Sequence, residues 1–107
     1  MGKHKPATIA RRKRIEQFLA AAGHASAVWL DEERGFSSPG FWVISTDDGI
    51  TTVSYKVPRK ATEKIKQAGQ RILEGCLVTL NSAPRYRAVL HANGCTILGR
   101  HIEVVEI

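Results

Sequence analysis

The sequence predicts one α+β domain, an antiparallel sheet packed against two or three helices and led by an arginine-rich N-terminal helix. Three observations carry this prediction. Ile15, Phe18, Leu19 and Ala22 recur at helical spacing over residues 8–22. Residues 41–46 and 50–57 are strand-like runs flanking Asp48-Gly49, a strong two-residue hairpin signal. After Pro58, a second apolar stripe of Ala61, Ile65, Ala68 and Ile72 repeats every three or four residues.

Composition agrees with a globular domain. The 107 residues suit a single unit, and 43% hydrophobic content is ample for one core. Residues 1–6 form a basic tail with little reason to order alone, which leaves 7–107 as the domain. No internal repeat or low-complexity segment is present. No apolar run approaches the ~20 residues of a membrane span. Arg11 to Arg14 followed by Phe18 to Ala22 imitates a secretory signal, but Glu16, Gln17 and Gly23 cut the apolar core short. Gly2 is no myristoylation site, because Pro6 stands where Ser or Thr is needed. A cytoplasmic protein with no membrane contact is expected.

Taken in order, Thr8 caps the first helix and Gly23 stops it. Arg11 and Arg12 fall on the same stripe as Ile15, so this face should project past the core or meet something anionic. Residues 25–30 read as a strand, and 31–40 as a polar connection. In the 41–57 hairpin a two-residue turn pairs Trp42 with Tyr55 and Ile44 with Val53. Trp42, Ile44, Val53, Tyr55 and Val57 are then the core face, and Phe41, Val43, Ser45, Thr52, Ser54 and Lys56 the outer one. The second helix spans 59–74, and 76–80 reads as a buried strand. Residues 83–93 favour a helix opened by Pro84 and stopped by Asn93-Gly94; a strand over 86–92 turning at Asn93-Gly94 is the alternative. Ile97-Leu98 and residues 102–107 read as C-terminal strands with Gly99-Arg100 between them.

Function is read from charge. Sixteen Lys and Arg against ten Asp and Glu give a net charge of +6, which favours phosphate backbones or acidic proteins. Arg11, Arg12, Lys13 and Arg14 are the densest cluster, and clustered cations bind phosphates by releasing counterions. Lys60, Lys64 and Arg71 on the second helix add to it. Lys56 shares the outer hairpin face with Phe41; with Phe36 these could form a base-stacking platform, but packing beneath the loop or against the first helix is the expected role of the two aromatics. The expected function is a small non-enzymatic DNA- or RNA-binding protein. The alternative is an adaptor or inhibitor of the kind mobile elements encode, docking on an acidic or nucleic-acid-binding surface of a partner protein.

Other chemistry has little support. Cys76, His91, Cys95 and His101 are the sole metal-ligand set to consider, and they lack the close Cys pair of structural zinc sites, so no metal is expected. Asp31, Glu32 and Glu33, with His24 or His91, are the candidates for acid–base work. No nucleophile elbow, phosphate loop or dinucleotide fingerprint occurs, so neither an enzyme nor a cofactor is expected.

Residues 75–84, 88–94 and 97–104 (Gly-Cys-Leu-Val-Thr-Leu-Asn-Ser-Ala-Pro, Ala-Val-Leu-His-Ala-Asn-Gly and Ile-Leu-Gly-Arg-His-Ile-Glu-Val) together resemble part of an RNA recognition motif. The resemblance covers 75–107 and implies a strand, a helix and a strand in a β-α-β arrangement. Where that family places base-stacking aromatics on its third strand, this chain has Cys76, Leu77, Val78 and Leu80, so no RNA-binding residue carries over.

Overall fold

A computed structural model describes residues 5–92 and 100–107. Helix α1 (Pro6–Ala21) is followed by strands β1 (Val28–Asp31), β2 (Gly35–Ser38), β3 (Gly40–Ser45) and β4 (Thr51–Lys56). Helix α2 (Glu63–Asn81) then leads to β5 (Tyr86–Ala92) and β6 (Arg100–Glu106). The α+β class is as expected, with two helices among the described residues. The strands form an antiparallel pair, β1-β2, and a four-stranded antiparallel sheet in the order β3-β4-β6-β5.

Both helices lie on one face of the larger sheet. Ile15 and Leu19 of α1 and Leu73, Cys76 and Leu80 of α2 share a buried cluster with Phe41, Val43, Val53, Tyr55, Tyr86, Ala88, Ile102 and Val104. Close packing of α2 depends on Gly69, because a Cβ there would stand 2.4 Å from the Tyr55 ring. The Tyr55 hydroxyl donates to the Ile65 carbonyl at 2.6 Å, tying the same helix to β4.

Several expectations are corrected; α1, for one, starts at Pro6 after Lys5 and not at a Thr8 cap. The hairpin turn is longer by one residue. Thr46 N–H donates to Ile50 C=O at 2.9 Å around a three-residue loop, Asp47-Asp48-Gly49, with Gly49 at φ 94°. Phe41 therefore pairs with Tyr55 and Val43 with Val53. Since alternate residues face opposite sides, this slip leaves the core face of β4 as expected but reverses β3. Phe41 and Val43 are buried, while Trp42 and Ile44 face outward.

The strand expected over 76–80 is the last part of α2. Leu73, Cys76 and Leu80 are buried at helical intervals, continuing from Gly69, so the apolar run serves one face of a longer helix. Thr62, not the Pro58 region, starts this helix; its side chain accepts from Ile65 N–H at 3.3 Å. The helix favoured over 83–93 is instead β5, its buried Tyr86 and Ala88 alternating with exposed Arg87 and Val89. Where the RNA recognition motif resemblance implies a strand, then a helix, the chain thus forms a helix, then a strand. The Asn93-Gly94 turn, Cys95 and the Ile97-Leu98 strand lie outside the described residues.

Finally, the polar connection over 31–40 contains β2. Asp31 accepts from the Arg34 backbone at 2.7 Å and its side chain at 2.8 Å, closing a hairpin in which Gly35 adopts φ 70°. This contact holds the Asp31 carboxyl below its usual range, with the Arg34 side chain as the main cause.

Candidate nucleic-acid interface

The predicted contact residues occupy two sides of the molecule, and most of the α1 cluster is engaged internally. Arg11 Nε donates to Ser45 Oγ at 2.8 Å and Thr51 Oγ1 at 3.2 Å, and its Nη2 donates to the Thr46 carbonyl. Thr8, one turn earlier, is buried and donates to the Asp47 carboxylate at 2.6 Å. Of the two outcomes expected for the arginine stripe, projection past the core is not seen at Arg11, which docks on the end of the β3-β4 hairpin. Arg14 forms a two-point contact with Glu106, at 3.1 and 2.8 Å, which raises its already high pKa. Arg12 sits 3.2 Å from Glu16 one turn on. Of the four, Lys13 alone is exposed with no ion pair among the described residues.

Lys60, just before α2, and Lys64 and Arg71 on it are exposed cations of the helical layer. Lys56 lies across the sheet from them, half-buried on the outer face of β4. The eight predicted residues do not converge on one surface. The outer face itself is the more coherent site.

Among the described residues no helix covers that face. Register aligns Trp42, Ser54, His101 and His91 as one row across the four strands, and Ile44, Thr52, Glu103 and Val89 as the next. Three interstrand steps of ~4.8 Å make the first row about 14 Å wide. Trp42 closes one end, where Phe36 meets it edge-on at 5.1 Å and Trp29 meets Phe36 at 5.0 Å. At the other end the His91 and His101 rings stack with centroids 5.3 Å apart, 24° from parallel. Glu103 approaches His91 at 3.9 Å. Lys56 and Arg87 supply the permanent cations, and Ile44, Val89 and Val105 are 45–52% exposed.

The alternative strand over 86–92 is the one observed. The expected hairpin register puts Trp42 in the core and the favoured helix over 83–93 takes Arg87 and His91 off the sheet, which hides this row. The alternation of Tyr86, Ala88 and Leu90 with Arg87, Val89 and His91 is the signal that would have found the last two. Of the two aromatics weighed for stacking, Phe41 packs in the core and Phe36 stands against Trp42.

The alternative chemistries are dispersed. Cys76 is fully buried among the helices, and burial pushes its thiol up to about 12, whereas His91 and His101 lie on the opposite face. Among the described residues no group of three or more His, Cys, Asp or Glu side chains is arranged to hold a metal. Asp31 is bound to Arg34, and His24 hydrogen-bonds Thr79 at 2.8 Å on the helical side. No described helix is long and apolar enough to cross a membrane. No protein family matches the chain, and neither does any curated protein or solved structure.

Proposed function

We propose that the protein is a small non-enzymatic nucleic-acid-binding module whose contact surface is the uncovered face of the four-stranded sheet. The observation that carries this reading is the Trp42–Ser54–His101–His91 row, flanked by Lys56 and Arg87. Flat rings on a sheet give unpaired bases a stacking surface, and neighbouring cations meet the phosphates between them. A face of this kind suits a single strand, whose bases are free to lie on it. The net charge of +6 and the exposed Lys13, Lys60, Lys64 and Arg71 add long-range attraction.

The test is fluorescence anisotropy with labelled oligo(dT) and oligo(U) at 50 mM salt. The expected result is micromolar or tighter binding, weakened at least tenfold by Lys56→Glu with Arg87→Glu and little changed by Lys13→Glu. No binding of either strand at this salt would remove the reading. The exposed Ile44, Val89 and Val105 favour a second reading, a protein-binding adaptor using the same face. In that case charge reversal at Lys56 and Arg87 matters less than Val89→Asp, and binding persists after nuclease treatment.

A further inference from the structure

The two edges of the larger sheet are finished differently. At β5, the Asn81 side chain stands in for a neighbouring strand: Oδ1 accepts from Ala88 N–H at 2.8 Å, and Nδ2 donates to Ala88 C=O at 2.9 Å. An edge satisfied in this way offers less to a foreign strand. At β3, Ala27 N–H donates to Phe41 C=O at 2.8 Å and Phe41 N–H donates to Ala25 C=O at 3.0 Å, a one-residue parallel bridge at Ser26. The chain then turns away into β1. Antiparallel pairing alternates between inward and outward bonds, so the backbone groups of Val43 point outward like those of Phe41. Among the described residues no backbone group takes them up.

Two hollows of about 210 and 220 Å³ adjoin this stretch, one beside Ser26 and Ala27, the other beside Thr8 and Ser45. Arg12, Trp42 and Val43 line both, and Glu16 lines the first, so α1 forms one wall of a groove and the β3 edge the other. The Nε of Arg12 is shielded from solvent and makes no hydrogen bond, even though a Glu16 oxygen lies 3.2 Å away. Proximity without the right direction leaves that donor unmet.

We propose that this groove takes an extended, acidic peptide segment of a partner protein by strand addition. The segment continues the pairing that Ala25 and Ala27 begin, bonding the free N–H and C=O of Val43, and offers a carboxylate to Arg12. Main-chain bonds to an open edge supply affinity in such a mode, and the charge contact supplies selectivity. From Phe41 to Ser45 the edge is roughly 13 Å long at ~3.3 Å per residue, room for three or four residues. The groove runs along the rim of the sheet and shares Trp42 and Ile44 with its open face. Lys56→Glu with Arg87→Glu, which should weaken nucleic-acid binding, should leave peptide binding unchanged, so the two readings fail separately.

The test uses the full chain labelled with ¹⁵N and a capped pentapeptide of alternating valine and glutamate. In the free protein the Val43 amide should exchange with solvent at least tenfold faster than those of Trp42 and Ile44, which bond to β4. The peptide should shift the Val43 resonance and slow its exchange. The same peptide with lysine for glutamate should bind at least tenfold more weakly, and Arg12→Ala should cost at least fivefold in affinity. Arg12→Lys keeps the charge without the planar fork and should lie between. The proposal is overturned if Val43 is as protected as Ile44 in the free protein, if the peptide leaves Val43 unmoved, or if the lysine peptide binds equally. Val43 shifts that follow protein concentration alone would assign the edge to a second copy of the chain, and shifts caused only by oligo(dT) would assign it to nucleic acid.

Discussion

Two tyrosines with nearly equal burial have opposite hydrogen-bonding situations, and this separates their contributions. The Tyr55 hydroxyl donates to the Ile65 carbonyl at 2.6 Å, whereas the Tyr86 hydroxyl is buried with no partner among the described residues. A buried polar group without a bond costs desolvation with no return, while a satisfied one contributes about 1 kcal/mol. Tyr55→Phe should therefore destabilise by about 1 kcal/mol in urea unfolding, and Tyr86→Phe should be neutral or stabilising. Cys76 gives a second check at this scale. With its thiol raised to about 12, it is protonated at pH 8, and it is also fully buried. Since the thiolate is the nucleophile, iodoacetamide should leave Cys76 unmodified in the native protein and alkylate it in urea, read by peptide mass mapping. The sequence holds neither contrast: each tyrosine is one apolar position in a periodic run, and only the tertiary partner distinguishes them. The same holds for Arg11, whose three acceptors are all more than thirty residues away.

Each element shows which local signals decide and which do not. The hairpin is legible because Val53 and Tyr55 alternate cleanly with Thr52 and Ser54. Its register is not, because Phe41, Trp42, Val43 and Ile44 are all apolar and either set would fill a core. Loop length settles the choice, and Asp47 is drawn into the loop by Thr8 and by the Lys5 amide at 3.1 Å. The run Cys76 to Leu80 is likewise ambiguous until Leu73 and Gly69 are seen to share its helical face. The end of that helix places Asn81 where it caps β5. Asn81→Ala removes both bonds to the Ala88 backbone and should cost about 1–2 kcal/mol, since two partly buried groups lose their partner. Faster amide exchange at Ala88, with Val89 still protected by its bonds to β6, distinguishes loss of the cap from general loosening.

At the scale of the whole molecule, the fold divides charge between two layers, and that division can be measured. The sequence shows the excess of cations but not their distribution, because ion pairs such as Arg14 with Glu106 join residues from opposite ends of the chain. Binding to a single strand loses affinity with salt at a slope of about −0.7 per phosphate neutralised. If Lys56 and Arg87 on the open face make the phosphate contacts, the slope of log K against log salt should be about −1.4. If all eight cations expected from the sequence took part, it would be about −5.6. The second value requires Arg11 and Arg14 to leave Ser45, Thr51 and Glu106, which ties binding to disruption of the hairpin end. A titration of oligo(dT) between 50 and 200 mM salt separates the two, because affinity falls about sevenfold across that range in the first case and over a thousandfold in the second. A shallow slope that vanishes in the Lys56→Glu, Arg87→Glu protein identifies the sheet face as the surface that meets the strand. A steep slope unchanged by those substitutions places contact on the helical layer instead, and the open row of Trp42, Ser54, His101 and His91 would then need another partner.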